Sequence, residues 1–175
     1  MDLREQNWGI EIEMTGITRY RAAQVIADYF GTEVRHDGTC YDTYSALDQQ
    51  GRRWKAMSDS SINCQRRENG RKIGAGRDYS VKLVSPICTY EDIPNLQEII
   101  RKLREAGAFC NESVGIHIHV DAAPFDAPHL RNLVNIVASK EDMIYQALQV
   151  NRGRELSYCR KVEPDFLDRL MNQQP

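Results

Sequence analysis

The chain has 175 residues, a formal net charge of −2 and 27% charged residues of both signs. That length is one domain able to bury a core without staples, and the mixed charge excludes a global basic field of the kind that draws nucleic acid. No apolar run approaches the length of a bilayer and Met1-Asp2-Leu3-Arg4-Glu5 is too charged to begin a signal peptide, so the expectation is a soluble cytoplasmic protein with no membrane partner.

In chain order, the first predicted strand is Trp8 to Met14. Thr18 then offers an N-cap for a helix through Phe30, with Ala22, Val25, Ile26, Tyr29 and Phe30 at helical spacing and Gly31 where the helix would end. A short strand follows near Glu33 to His36, with a turn at Asp37-Gly38. Tyr41 to Leu47 and Arg53 to Met57 read as a hairpin joined through Asp48-Gln49-Gln50-Gly51. Ser58 to Ser61 is a polar loop. Gln65 to Gly76, basic and glycine-containing, reads as a flexible connection. Tyr79 to Ser85 reads as a strand stopped by Pro86, and Glu91 to Ala106 as a helix with Ile93, Leu96, Ile99, Ile100 and Leu103 on its apolar side. A strand through His117 and His119 comes next. A longer helix from Pro128 to Leu148 carries Leu130, Leu133, Val134, Val137, Ile144 and Leu148 on one side. A last short helix spans Pro164 to Met171. This order predicts an α+β domain: a largely antiparallel sheet with helices packed on one face.

Glu11-Ile12-Glu13 and His117-Ile118-His119 each lie inside a predicted strand. Side chains two apart on a strand share a face and sit roughly 7 Å apart. If the two strands belong to one sheet, two carboxylates and two imidazoles converge on one surface. Taken singly, either pair is also the ordinary pattern of a solvated sheet face. Arg66, Arg67, Arg71 and Lys72 form a local basic cluster, readable as a solvated loop or as a phosphate grip. The five cysteines (Cys40, Cys64, Cys88, Cys110 and Cys159) are scattered, with no C-x-x-C spacing. That argues against a disulfide framework or a structural zinc site.

Several stretches resemble the amidoligases, relatives of the glutamine synthetase and glutamate–cysteine ligase fold. They are Gly9 to Thr18, Tyr41 to Tyr44, Trp54-Lys55 with Asp59-Ser60-Ser61, Leu83 to Ile87, Gly115 to Asp121 and Leu130 to Asn135. The resemblance implies an active-site sheet whose side chains bind divalent metal (Mg²⁺ or Mn²⁺) and ATP phosphates while a carboxylate is activated for attack by an amine. It implies Glu11 and Glu13 as metal ligands, with His117 and His119 shared between metal and a phosphate or substrate, His117 being counted with the metal ligands. Asp59 would be a supporting or substrate group. Two departures stand out. Lys82 takes the place of a glutamate in the family's Glu-Leu-Val-Ser-Pro strand. At an effective dielectric near 20, two unit charges 4 Å apart interact by roughly 4 kcal/mol, enough to weaken a Mg²⁺ site badly. The family pattern also continues beyond Asn172-Gln173-Gln174-Pro175, which implies that residues 1–175 are a single truncated domain, half of a glutamine-synthetase-like fold.

Three functions follow. The first is an ATP- and Mg²⁺-dependent amidoligase or a fragment of one. The favoured reading is a repurposed half-domain: a mobile-element effector acting on a host macromolecular complex, such as an anti-CRISPR inhibitor of an effector nuclease or its guide RNA. In it Glu11, Glu13, His117, His119 and Asp59 would provide acid–base chemistry on RNA, and Lys82 would contact a phosphate. Arg66, Arg67, Arg71 and Lys72 would hold the RNA. The third is an interaction module with an inactive site. Open sheet edges also predict either a homodimer or edges capped within the chain.

Overall fold

The structure, a computed structural model, describes residues 2–172; Gln173, Gln174 and Pro175, at the expected truncation, lie outside the described residues. Two compact units divide the chain between Asp121 and Ala122.

The first unit is built on a six-stranded sheet. Strand β1 (Trp8–Met14) runs into helix α1 (Arg19–Phe30), where the Thr18 hydroxyl accepts from the Arg21 N–H and Gly31 ends the helix in the left-handed region. The chain continues through β2 (Arg35–His36), β3 (Tyr44–Leu47), β4 (Arg53–Met57), β5 (Gln65–Glu68), β6 (Arg71–Gly74), β7 (Val81–Val84), α2 (Ile93–Glu105) and β8 (Ile116–Val120). The sheet order is β2-β3-β4-β7-β1-β8, every pairing antiparallel, and β5-β6 stands apart as a two-stranded sheet. The fold is α+β, as the order of elements predicts.

Alternation along the strands sends Met14, Ala46, Trp54, Ala56, Val81 and Leu83 to one face, where Ala22, Ala23 and Ile26 of α1 and Ile99 and Leu103 of α2 complete the core. The opposite face carries Glu11, Glu13, Lys82, His117 and His119. The helical layer does not extend over β8: Ile116, Ile118 and Val120 are exposed.

Two ion-pair systems fix loops to this frame. Arg52 reaches Asp48 at 2.8 Å and grips both oxygens of Asp92 at 2.9 and 2.6 Å, joining the β3–β4 turn to the entry of α2. Both carboxylates are almost wholly buried. These contacts hold the Arg52 guanidinium above its ordinary pKa against the opposing effect of its own burial. Arg19 ties α1 to Asp42 and to the carbonyls of Arg77 and Ser80.

The structure departs from the sequence reading in places. Gln65 to Gly76 is not a flexible connection but the β5–β6 hairpin, turned by Asn69 and Gly70, both at positive φ. Strands β2, β3 and β7 are shorter than predicted, because Tyr41 and Asp42 belong to a turn and Arg77–Tyr79 to a 3₁₀ turn.

The second unit holds α3 (Ala127–Ala147), α4 (Arg152–Glu155) and α5 (Pro164–Asn172). Asp126 caps α3 by accepting from the His129 N–H, and the buried Glu141 accepts from the Val162 N–H. The predicted apolar side of α3 is present but little covered. Leu130, Leu133, Val137, Ile144 and Leu148 remain exposed, since the partner helices in this unit are short.

Candidate active site

The two motifs meet because β1 lies between β7 and β8. In the register, Glu11 stands opposite Val84 on one side and His117 on the other, Glu13 opposite Lys82, and Gly9 opposite His119. Residues directly across antiparallel strands share a face, so Glu11, Glu13, Lys82, His117 and His119 project together from the side of the sheet away from α1 and α2. Asp59, in the loop after β4, joins them.

Each carboxylate has a distinct task. Glu13 is buried, its Oε2 accepting from the Gly115 N–H at 2.7 Å while Oε1 lies 3.7 Å from Nε2 of His117. Glu11 is more open and sits between two cationic groups: its Oε1 is 3.5 Å from Nε2 of His119 and its Oε2 is 3.3 Å from Nζ of Lys82. Lys82 also reaches Oδ2 of Asp59 at 3.0 Å. Asp59 is held in turn by the N–H and hydroxyl of Ser61, and its own N–H donates to the Ser80 hydroxyl.

Electrostatics follow from this geometry. Burial works against the Lys82 ammonium, but the hydrogen bond to Asp59 and the charges of Glu11 and Asp59 outweigh it and hold the lysine above its usual pKa. Burial likewise acts to raise Asp59, yet the Ser61 donors and Lys82 bring it down to about 2. The pair is therefore fully ionised near neutral pH. Both imidazoles are more than half exposed and accessible to a reactant. A cleft of about 440 Å³ adjoins His119, walled by Trp8, Gly9, Pro86, Ile87 and Val120.

A divalent metal fits this arrangement poorly. Among the described residues, no group of three or more His, Cys, Asp or Glu side chains is placed to hold an ion. Mg²⁺ asks for a cage of oxygen ligands, whereas Glu11 is shared between an imidazole and an ammonium and Glu13 between a backbone N–H and an imidazole.

Lys82 thus turns towards the carboxylates rather than away from them. Sequence reasoning did not anticipate its pairing with Asp59, nor the Gly115 N–H on Glu13, nor the room that Gly9 leaves opposite His119. Strand register sets Gly9 across from His119, and the loops after β4 and before β8 bring in Asp59 and Gly115; neither register nor loop placement is visible in periodicity alone. The basic residues do not join this site. They lie on the β5–β6 hairpin, where Arg67 pairs in register with Lys72, and Arg66 and Arg71 fall on the other face beside Glu68. Arg67 and Lys72 stand 5.3 and 4.7 Å from the centre of the Phe109 ring. Arg67 also lines a cleft of about 770 Å³ with Arg101, Arg104 and Phe109.

No helix among the described residues is long and apolar enough to cross a membrane. No curated protein and no solved structure matches the chain. A family model described as "putative amidoligase enzyme" matches residues 4–175, essentially the whole chain. The chain belongs to the amidoligase family.

Proposed function

We propose that this chain serves ATP-dependent carboxylate–amine ligation on the face formed by β7, β1 and β8. The observation that carries the reading is the family match across residues 4–175. In such a reaction a substrate carboxylate oxygen attacks the terminal phosphorus of ATP and ADP leaves. An amine then attacks the acyl carbon, giving up a proton as phosphate departs. His119, beside the cleft and 3.5 Å from Glu11, is placed to take that proton. Glu11 orients its ring and stabilises the imidazolium formed, as a carboxylate behind a general base does. Glu13 plays the same part for His117. Lys82 supplies positive charge for the anionic reactants. Because a protein-held metal does not fit the donors, no step is assigned to one.

The test is turnover. The full chain is incubated with Mg-ATP and mixtures of amino acids, short peptides and amines, and ADP and amide products are measured by mass spectrometry. Amide-linked ADP release should fall about 10²-fold or more in His119→Ala, the usual scale for loss of a general base, and should also fall in Glu11→Gln, which removes the carboxylate behind that base. Turnover that is equal in both variants would contradict the assignment.

One observation favours a second reading in which a phosphate polymer is the target. Arg67 and Lys72 flank Phe109, and Arg101 and Arg104 line the same cleft. Cations interleaved with an aromatic ring suit single-stranded nucleic acid. Nothing in this surface points to a CRISPR effector or its guide RNA, and the ligase reading stands first.

A further inference from the structure

A second feature of the active face concerns its cation rather than its acids. Lys82 Nζ lies 3.3 Å from Glu11 and 3.0 Å from Asp59, two carboxylates from separate segments of the chain. All three side chains are largely buried, with 19% of Lys82, 27% of Glu11 and 20% of Asp59 exposed. The lysine is delivered there by the register of β7, which sets it across from Glu13 on one side and Met57 on the other. Asp59 is clamped on its backbone by the Ser80 hydroxyl, whose own proton goes to the Asp59 carbonyl. The Asp59 carboxylate is held as well, accepting from the N–H and the hydroxyl of Ser61. Two partly buried acids brought to one point are stabilised by a positive charge between them, and the chain provides it covalently.

We propose that Lys82 is the resident cation of this face: its ammonium fills the place that a divalent ion would need between Glu11 and Asp59. The native chain therefore holds no divalent ion at this point, and removing the lysine's charge opens a divalent-cation site there. Glu11 Oε2 and Asp59 Oδ2 are its first ligands. Oxygen donors of this kind take Mg²⁺ or Mn²⁺, and Mn²⁺ is the practical probe because its free and bound forms differ by electron paramagnetic resonance. The inference rests on ion-pair geometry and does not depend on the ligase reading.

The experiment titrates Mn²⁺ into the full chain and its variants, with circular dichroism confirming each fold. The native chain should show no saturable binding at millimolar Mn²⁺, and Lys82→Arg, which keeps the charge, should match it. Lys82→Met should bind at least about tenfold more tightly than the native chain, a change of about 1.4 kcal/mol. Adding Glu11→Gln to Lys82→Met should abolish the gain. Lys82→Gln, which can still hydrogen-bond both carboxylates, takes the place of Lys82→Met if the latter does not fold. Saturable binding by the native chain that Glu11→Gln removes would overturn the proposal. So would a folded, charge-free variant that binds Mn²⁺ no better than the native chain.

Discussion

At the scale of single residues, the site is a set of carboxylates each shared between two partners. Asp59 shows the consequence most directly. Its pKa is lowered to about 2 in the folded chain, against 3.8 for a free aspartate. A group whose folded pKa is depressed stabilises the protein above its unfolded value and loses that contribution as pH falls through the folded one. The stabilisation is thus complete above about pH 4 and disappears as the pH approaches 2. A depression of this size corresponds to about 2 kcal/mol. Denaturant unfolding at a series of pH values should find Asp59→Asn less stable than the native chain by this order at pH 7, with the gap closing between pH 4 and 2. An unchanged gap at low pH would rule out the pairing. The two motifs themselves were legible in the sequence, because i, i+2 spacing fixes a shared face. Their partners were not: Lys82 and Asp59 are separated by a loop, a hairpin and a turn, and only folding sets one beside the other.

At the scale of elements, periodicity revealed most of the first unit. The limits of β1, α1 and β4 agree with the sequence reading because strong alternation, the Thr18 cap and Gly31 each mark a boundary physically. The β5–β6 hairpin was missed for an equally physical reason. Its strands are largely exposed, so nothing forces an apolar alternation on them, and charged composition resembles a loop. The signal was Asn69-Gly70, a pair suited to the positive φ angles of a tight hairpin turn. Arg52 offers a test at this scale. It bridges Asp48 and Asp92, which are buried and belong to different elements. Arg52→Ala leaves both carboxylates without their cation and should destabilise the chain by about 3–5 kcal/mol. Thermal and denaturant unfolding check this, and a loss below about 1 kcal/mol, the range of a surface pair, would contradict it.

At the scale of the whole molecule, family and architecture agree. The chain belongs to the amidoligase family by its family match and is α+β by its six-stranded antiparallel sheet. Its acids and imidazoles sit on the side of the sheet left free by α1 and α2. The basic residues expected to act with them are carried instead by a separate two-stranded sheet. Two surfaces are therefore candidates for a phosphate-bearing ligand, and they are distinguishable by substitution. The most direct measurement is amide-linked ADP release from Mg-ATP by the full chain, repeated on Glu11→Gln, His119→Ala and the double variant Arg67→Ala/Lys72→Ala. The ligase account predicts turnover that falls steeply in Glu11→Gln and His119→Ala and is kept in the hairpin variant. Turnover that survives both face substitutions and vanishes with Arg67 and Lys72, or no turnover by the native chain, would contradict it.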